Sequence, residues 1–136
     1  SAFILRGVLT PSECQFFIDQ AEDFGLQDCG YSHTIRRTDR VAVESKEVAS
    51  FLFQRIKPYL ETSIDLTTGR SCCWPKGIPD TTRLWKWNAI GLNEVFRLCR
   101  YEAGGFFLPH FDGGFVRNEF ERSLQTCMIY LNNDFE

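Results

Sequence analysis

Residues 95–112 of the chain, VFRLCRYEAGGFFLPHFD, decide the fold that the sequence predicts. Val95 to Tyr101 has the β-branched and aromatic content that favours a strand. Gly104-Gly105 then predicts a turn, and Phe106 to Phe111 predicts a second strand. A third strand is expected from Leu124 to Leu131. This part of the chain is therefore predicted to be rich in β-structure.

Two amphipathic helices are predicted upstream of this β-rich region. The first begins at the capping box Thr10-Pro11-Ser12-Glu13, with proline at the first helical position, and stops at Gly25. The second is capped by Ser45 and ended by Pro58. Apolar residues at helical spacing give each helix one buried face. These faces are formed by Cys14, Phe17, Ile18, Ala21 and Phe24 in the first helix and by Val48, Leu52 and Ile56 in the second.

Shorter segments complete the expected order of elements. Phe3 to Leu5 and Val41 to Val43 are predicted strands, and Glu61 to Thr82 is the longest segment without periodicity. Loops of that length are usually functional. We therefore expect a single α+β domain over residues 1–136, with helical support in 1–60, a loop in 61–92 and the start of a β core in 93–136.

Composition limits the classes of function. The 136 residues, 43% of them hydrophobic, are enough for one domain with a core. Because 15 basic residues face 18 acidic ones, neither nucleic-acid binding nor a polybasic membrane surface is supported. The absence of a signal peptide and of an apolar run of about 20 residues favours a soluble, cytoplasmic location, although the compartment stays open. The chain begins without Met and directly with an apolar pattern, which predicts a fragment of a longer domain.

The six cysteines are irregularly spaced and include no CxxC pair of the kind that holds zinc. Cys14, Cys99 and Cys127 lie in apolar periodic segments and are predicted to be buried thiols. For Cys72-Cys73 in the long loop, a redox-active pair and a bridged pair both stay open. A disulfide-stabilised secreted domain would require most of the six thiols to be blocked.

His110-Phe111-Asp112 is the pattern that points to chemistry. In a strand, residues two apart project from the same face, so this imidazole and this carboxylate can meet one metal ion. Two histidines and one carboxylate on one face of an octahedron are the ligands typical of iron(II) oxygenases. Such a short triplet also arises by chance, and its context must support it.

That context resembles a known family. Arg97 to Asp112, followed by Ser123 to Phe135, resembles the prolyl 4-hydroxylase-like branch of the iron(II)- and 2-oxoglutarate-dependent dioxygenases. Val8 to Cys14 and Arg37 to Val41 are more loosely similar to the family's first helix entry and following strand. The resemblance implies a double-stranded β-helix (jelly-roll) core with N-terminal helices packed on it, which matches the predicted order of elements.

The resemblance also implies a set of site residues. His110 and Asp112 would be iron ligands, and Tyr130 would donate a hydrogen bond to the distal carboxylate of 2-oxoglutarate. Thr126 lies four residues before Tyr130, would face the same side of the predicted strand and would also bind the co-substrate through its hydroxyl. Tyr101 matches another tyrosine that reaches the co-substrate. The implied cofactors are Fe(2+) and 2-oxoglutarate, with L-ascorbate as a further candidate, and the implied partner is a peptide or protein with a prolyl residue.

The sequence departs from the family in three ways. The family's second histidine and its following Lys or Arg come after the last predicted strand and are missing from this chain, so the fragment is expected to be inactive. The other histidine, His33, does not match the motif and is predicted to be a surface residue. Phe107 stands where relatives often have Tyr. These departures leave an alternative open, in which the chain is a non-catalytic jelly-roll binding module without a complete metal site.

For two further groups of residues the sequence predicts a structural role. The stretch from Arg36 to Arg40 is predicted to be a solvated strand edge, with substrate contact as its functional alternative. Trp74, Trp85 and Trp87 are predicted to be packing residues or a cover over the loop.

Overall fold

A computed structural model describes residues 2–61, 63–65 and 86–133 of the chain. Over these residues the fold is mixed α+β, with two helices and several antiparallel sheets. The helices are α1 (Pro11–Phe24) and α2 (Lys46–Ile56), and a short 3-10 helix (Lys57–Tyr59) follows α2. The strands are β1 (Gln27–Asp28), β2 (Arg36–Arg37), β3 (Asp39–Glu44), β4 (Ile64–Asp65), β5 (Lys86–Trp87), β6 (Val95–Arg100), β7 (Phe106–Phe107), β8 (Val116–Asn118) and β9 (Glu121–Arg122).

Helix α1 begins and ends where the sequence predicts. The Thr10 hydroxyl accepts a hydrogen bond from the Glu13 amide at 3.3 Å, and the Glu13 carboxylate accepts one from the Thr10 amide at 2.8 Å. This reciprocal pair satisfies two amides that the first helical turn leaves without partners. Gly25 ends the helix at a φ of 82°, which glycine adopts without steric cost. The predicted capping box and stop are confirmed, but Phe24 of the predicted buried face is exposed, and Ala21 is the buried residue of this helix.

Helix α2 supplies most of the apolar core. Ser45 caps it by accepting a hydrogen bond from the Val48 amide at 3.2 Å, and Leu52 is 2% exposed. Pro58 lies in the 3-10 helix that follows, because proline has no amide to continue the α-helical pattern. The predicted cap and end of this helix are confirmed, and of its predicted apolar face Leu52 and Ile56 are buried while Val48 is half-buried. The buried apolar residues of the described chain are Ala21, Ala49, Leu52, Phe53, Ile56 and Trp87.

The main sheet is antiparallel and has the order β1-β3-β6. Its longest pairing, between β3 and β6, extends from Asp39 opposite Arg100 to Glu44 opposite Val95. Arg100 also joins the sheet to helix α1, since its guanidinium lies 2.8 Å from both Glu22 and Asp39. The strands predicted at Val41 to Val43 and Val95 to Tyr101 are confirmed, the second ending one residue early.

A two-stranded sheet formed by β2 and β7 leads to the predicted site. Arg36 pairs with Phe107 and Arg37 with Phe106. The turn before β7 is closed by the Gly105 amide, which donates to the Glu102 carbonyl at 2.7 Å. The predicted Gly104-Gly105 turn is therefore confirmed, and it brings the end of β7 beside β2.

Three predicted strands are wrong in whole or in part. Phe3 to Leu5 and Leu124 to Leu131 have no strand structure, and the strand expected from Phe106 to Phe111 ends at Phe107. Composition favours a strand only where a partner is available to pair with it. Within the described ranges the first two segments have no partner strand, and Pro109 lacks the amide that would continue β7.

The hairpin of β8 and β9 lies between two of the predicted strands, in a segment where the sequence predicts no strand. Val116 pairs with Arg122 and Asn118 with Glu121, with a register irregularity between the two pairs. The Asn118 side chain accepts a hydrogen bond from the Phe120 amide at 2.8 Å, which is the local turn that asparagine favours.

Two predictions about polarity are also corrected. Arg36 and Thr38 are 7% and 6% exposed, so this part of the Arg36 to Arg40 stretch is not a solvated edge. They are buried because β6 and β7 cover them, and the Thr38 hydroxyl donates to the Arg100 carbonyl at 2.7 Å. Trp87 is buried, as expected of a packing residue, whereas Trp74 and Trp85 lie outside the described residues.

The cysteine predictions are also partly wrong. Cys99 and Cys127 are exposed residues and Cys14 is half-buried. Cys99 lies on the more exposed of the two faces that alternate along β6, and Cys127 belongs to a segment that forms no strand. All three, together with Cys29, are free thiols, while Cys72 and Cys73 lie outside the described residues.

Neither helix in the described part of the chain combines the length and the apolar content that a membrane crossing needs.

Candidate functional site

His110 and Asp112 lie in the loop after β7, and their side chains lie close together. The Nε2 atom of His110 is 3.3 Å from the Oδ1 atom of Asp112. The side chains are 38% and 55% exposed, so a ligand from solvent can reach both. The structure thus brings together the two residues that the triplet singles out, although in a loop instead of the expected strand.

The orientation of the His110 ring is fixed by the backbone. Its Nδ1 atom is 2.8 Å from the Leu108 carbonyl oxygen. Because a carbonyl oxygen has no hydrogen to donate, the hydrogen in this bond belongs to Nδ1. In the neutral imidazole the Nε2 atom then carries a lone pair, and this lone pair faces Asp112. A metal-binding histidine typically has the same arrangement, with its other nitrogen bonded to a backbone carbonyl or a carboxylate.

The His110 ring is also held by aromatic stacking on Phe107. The Phe107 and His110 rings are stacked, with 3.6 Å between their centres and 24° between their planes. The guanidinium of Arg36 lies 4.2 Å from the centre of the Phe107 ring and donates to the Cys99 sulfur at 3.2 Å. Because Arg36 and Phe107 are directly opposite in the β2–β7 pair, strand pairing positions this group behind the imidazole.

Asp112 is held through its second oxygen. The Thr126 hydroxyl donates a hydrogen bond to Oδ2 of Asp112 at 2.6 Å. The two carboxylate oxygens therefore have different partners, Thr126 for Oδ2 and His110 for Oδ1.

The two predicted tyrosines lie on the surface. Tyr101 directly follows β6 and Tyr130 lies in the segment after β9, and both are exposed. The expectation that Thr126 and Tyr130 share one face of a strand is wrong, because residues 124–131 form no strand. Within the described ranges no hydrogen bond joins Tyr101 to His110 or to Asp112.

His33 is a surface residue, as predicted. Its Nε2 atom is 2.8 Å from an oxygen of Asp28, and its side chain is 67% exposed. The Gly30 amide, and secondly His33, hold the pKa of Asp28 below its usual value. Neither residue contributes to the pair at His110 in the described structure.

Sequence reasoning missed Arg36 and the Leu108 carbonyl, and it noted Phe107 only as a departure from the family. The signal for Arg36 was its spacing of two from Thr38, which puts both side chains on one face of an extended segment. The residues next to Arg36 in the sequence do not indicate that this face is buried, because the strands that bury it, β6 and β7, come much later in the chain.

The arrangement has two of the donors that a metal ion needs. Imidazole nitrogen suits iron, and carboxylate oxygen completes the mixed set that non-haem iron(II) sites use. Within residues 2–61, 63–65 and 86–133, no group of three or more His, Cys, Asp or Glu side chains could together hold a metal ion. Comparison of the chain with protein families, with characterised proteins and with solved structures finds no match.

Proposed function

We propose that this chain carries part of an iron(II)- and 2-oxoglutarate-dependent dioxygenase domain of the prolyl 4-hydroxylase-like type, which hydroxylates a prolyl residue in a peptide or protein. The observation that carries the proposal is the orientation of His110 towards Asp112. With Nδ1 engaged by Leu108, the Nε2 atom and a carboxylate oxygen lie 3.3 Å apart.

When neither carries a proton, Nε2 of His110 and Oδ1 of Asp112 are both acceptors, and they repel each other at this distance unless a cation binds to both. A proton can serve, which makes the pair an imidazolium and a carboxylate. A divalent metal ion can also serve, and it takes both groups as ligands. The backbone bond to Nδ1 and the Thr126 bond to Asp112 favour the metal, since such outer contacts typically orient the ligands of a metal site.

The donors present fit two of the three protein positions of an iron(II) site. The sequence has two histidines, and the other one, His33, is paired with Asp28. The proposal therefore requires a further histidine, and the Lys or Arg that pairs with 2-oxoglutarate, from beyond these 136 residues.

The fold is compatible with the proposal at the coarser level. Helix α1 precedes every strand of the described chain, helix α2 lies between β3 and β4, and the sheets are antiparallel, as the sheets of a jelly-roll are. We propose that β3, β6, β2 and β7 belong to the first part of that double-stranded β-helix. The exposed Tyr101 and Tyr130 are accessible to the co-substrate carboxylate in this arrangement.

The proposal gives His110, Asp112 and Phe107 each a defined role. His110 and Asp112 hold the metal ion, and Phe107 keeps the imidazole plane fixed. Iron and 2-oxoglutarate, when bound, supply hydroxylation by dioxygen coupled to decarboxylation of 2-oxoglutarate, with L-ascorbate as a candidate reductant.

Paramagnetic Mn(II), a redox-stable substitute for iron(II), tests the metal site by NMR. We expect Mn(II) to broaden first the amide signals of Leu108 and of residues 110–113, and this selective effect to disappear in His110→Ala and Asp112→Asn. His33→Ala is the matched control and should change nothing, because His33 pairs with Asp28 instead. Selective broadening that persists in His110→Ala would contradict the proposal.

The reaction is tested in the longest natural form of the protein, by conversion of 2-oxoglutarate to succinate. We expect succinate in the unmodified protein and in His33→Ala, and none in His110→Ala. Succinate formation that survives in His110→Ala would remove the proposed role of this residue.

A second candidate, a non-catalytic binding module, is favoured by the exposed apolar residues in the chain segment that carries the site. Large exposed apolar groups indicate an interaction surface, and they include Leu108, Phe111, Phe115, Val116, Phe120, Met128 and Ile129. Selective Mn(II) broadening and succinate would both be absent if this second function is the correct one.

A further inference from the structure

We infer that Thr126 is a positioning residue, which holds the Asp112 carboxylate in the rotation that presents Oδ1 to His110. The inference deepens the proposed function and rests on it. It also changes the role that the family resemblance implies for Thr126, from a contact with 2-oxoglutarate to a contact with an iron ligand.

The chemistry of the hydroxyl supports this reassignment. The side chain of a threonine has a single hydrogen to donate, and with Oγ1 at 2.6 Å from Oδ2 of Asp112 that hydrogen is already used. Thr126 therefore cannot also donate to the co-substrate carboxylate. Hydrogen bonds to an ionised acceptor are among the strong ones, so the existing contact is not readily exchanged.

Asp112 needs such a partner. Its side chain is 55% exposed, and an exposed carboxylate without a further partner can rotate, so that either oxygen faces the neighbouring residue. The Thr126 bond removes this freedom, because it ties Oδ2 and leaves Oδ1 for His110. A metal ligand that is orientated in advance loses less entropy when the ion binds.

The β8–β9 hairpin explains how a residue 14 positions away reaches Asp112. The Phe115 amide donates to the Ser123 hydroxyl and the Ser123 amide donates to the Phe115 carbonyl, both at 2.8 Å. These two bonds close the base of the hairpin. Asp112 lies three residues before Phe115, and Thr126 lies three residues after Ser123. The two residues therefore occupy equivalent positions in the segments that lead into and out of the hairpin.

The test compares Thr126→Val, which has a similar shape but no hydroxyl, with Thr126→Ser, which keeps the hydroxyl. Without metal, we expect Thr126→Val to shift the NMR signals of the Asp112 carboxyl carbon and the His110 imidazole nitrogens. Thr126→Ser should leave both near their original positions. Unchanged signals in Thr126→Val would overturn the inference, whatever the metal does.

Metal affinity gives the second readout. We expect Mn(II) to bind Thr126→Val about 10- to 100-fold more weakly, the usual effect of losing a contact behind a metal ligand, and Thr126→Ser to bind almost normally. Equal Mn(II) affinity in all three proteins would overturn the inference. If the unmodified chain itself does not bind Mn(II) selectively, that result would count against the proposed function. The NMR shifts measured without metal would still decide the role of Thr126.

A direct role in co-substrate binding predicts a different result. In that case Thr126→Val would bind Mn(II) normally and would weaken only the binding of 2-oxoglutarate to the metal-loaded protein. That pattern would overturn the inference. Amide spectra of each variant show whether the β8–β9 hairpin is intact. Ser123→Ala, which removes the hydroxyl bond at the hairpin base and keeps the backbone bond, should shift the Asp112 signal in the same direction as Thr126→Val.

Discussion

At the scale of single residues, the most informative feature is how many groups hold His110. The Leu108 carbonyl fixes one ring nitrogen, the Phe107 ring fixes the plane, and Asp112 faces the other nitrogen. An imidazole on a surface loop would otherwise sample several rotamers. The arrangement instead directs Nε2 to one place, which is what a ligand position requires.

A second residue-scale feature, the Glu13 carboxylate, has a consequence for acid stability. Arg55, and then the Thr10 amide, lower the pKa of Glu13 from 4.5 to about 2. Because the folded-state pKa lies below the ordinary value, the ionised carboxylate stabilises the fold above pH 4.5. That stabilisation is lost as the pH falls through about 2.

We therefore predict that Glu13→Gln lowers the urea midpoint of unfolding at pH 6, and that its difference from the unmodified protein shrinks steadily towards pH 2. Urea unfolding followed by circular dichroism between these two pH values measures the effect. A difference that stays constant over the whole range would show that the Glu13 charge is not its source.

At the scale of elements, the turn into β7 controls the position of the site. A Cβ atom added at Gly105 would lie 2.8 Å from the Glu102 carbonyl oxygen and 3.0 Å from the Arg37 carbonyl oxygen. Both neighbours are backbone atoms of the turn and of β2, so neither can move without changing the β2–β7 pairing. That pairing carries Phe107, against which His110 stacks.

We predict that Gly105→Ala destabilises the protein by about 1–3 kcal/mol, the usual effect of overpacking, and shifts the amide signals of residues 106–112. Gly91→Ala is the control, because a Cβ atom there would meet nothing within 4 Å. Urea unfolding and amide NMR spectra measure the two effects. Equal stability of the two variants would mean that the turn adjusts without cost.

At the scale of the whole molecule, the buried core and the candidate site lie in different parts of the chain. Among the described residues, five of the six buried apolar side chains come from the two helices, and only Trp87 comes from a strand. In contrast, large apolar side chains between residues 108 and 130 remain exposed. Surfaces of this kind associate with partners or with copies of the same chain.

We predict concentration-dependent self-association through the exposed apolar residues around the site. Phe111→Ser should weaken it about tenfold, because that substitution removes roughly one buried aromatic contact worth about 1.4 kcal/mol or more. Ile4→Ser is the matched control, since Ile4 and Phe111 are both 84% exposed but only Phe111 lies beside the site. Sedimentation velocity measures the association, and an equal effect of the two substitutions would contradict a localised surface.

The sequence by itself determined the features that depend on neighbouring residues. The caps at Thr10 and Ser45 involve residues three apart, and the helix boundaries follow from them. The same holds for the Gly104-Gly105 turn. The sequence also singled out His110 and Asp112, because two residues apart in an extended chain they project to one side.

Only the tertiary structure decided which extended segments became strands and what surrounds the site. Leu124 to Leu131 has the composition of a strand but no partner among the described residues, whereas Arg36 and Phe107 pair although most of the chain separates them. The Thr126 bond to Asp112 spans 14 residues and the Arg36 bond to Cys99 spans 63. Contacts at these separations depend on how the chain is folded, because no local spacing specifies which distant residue will be the partner.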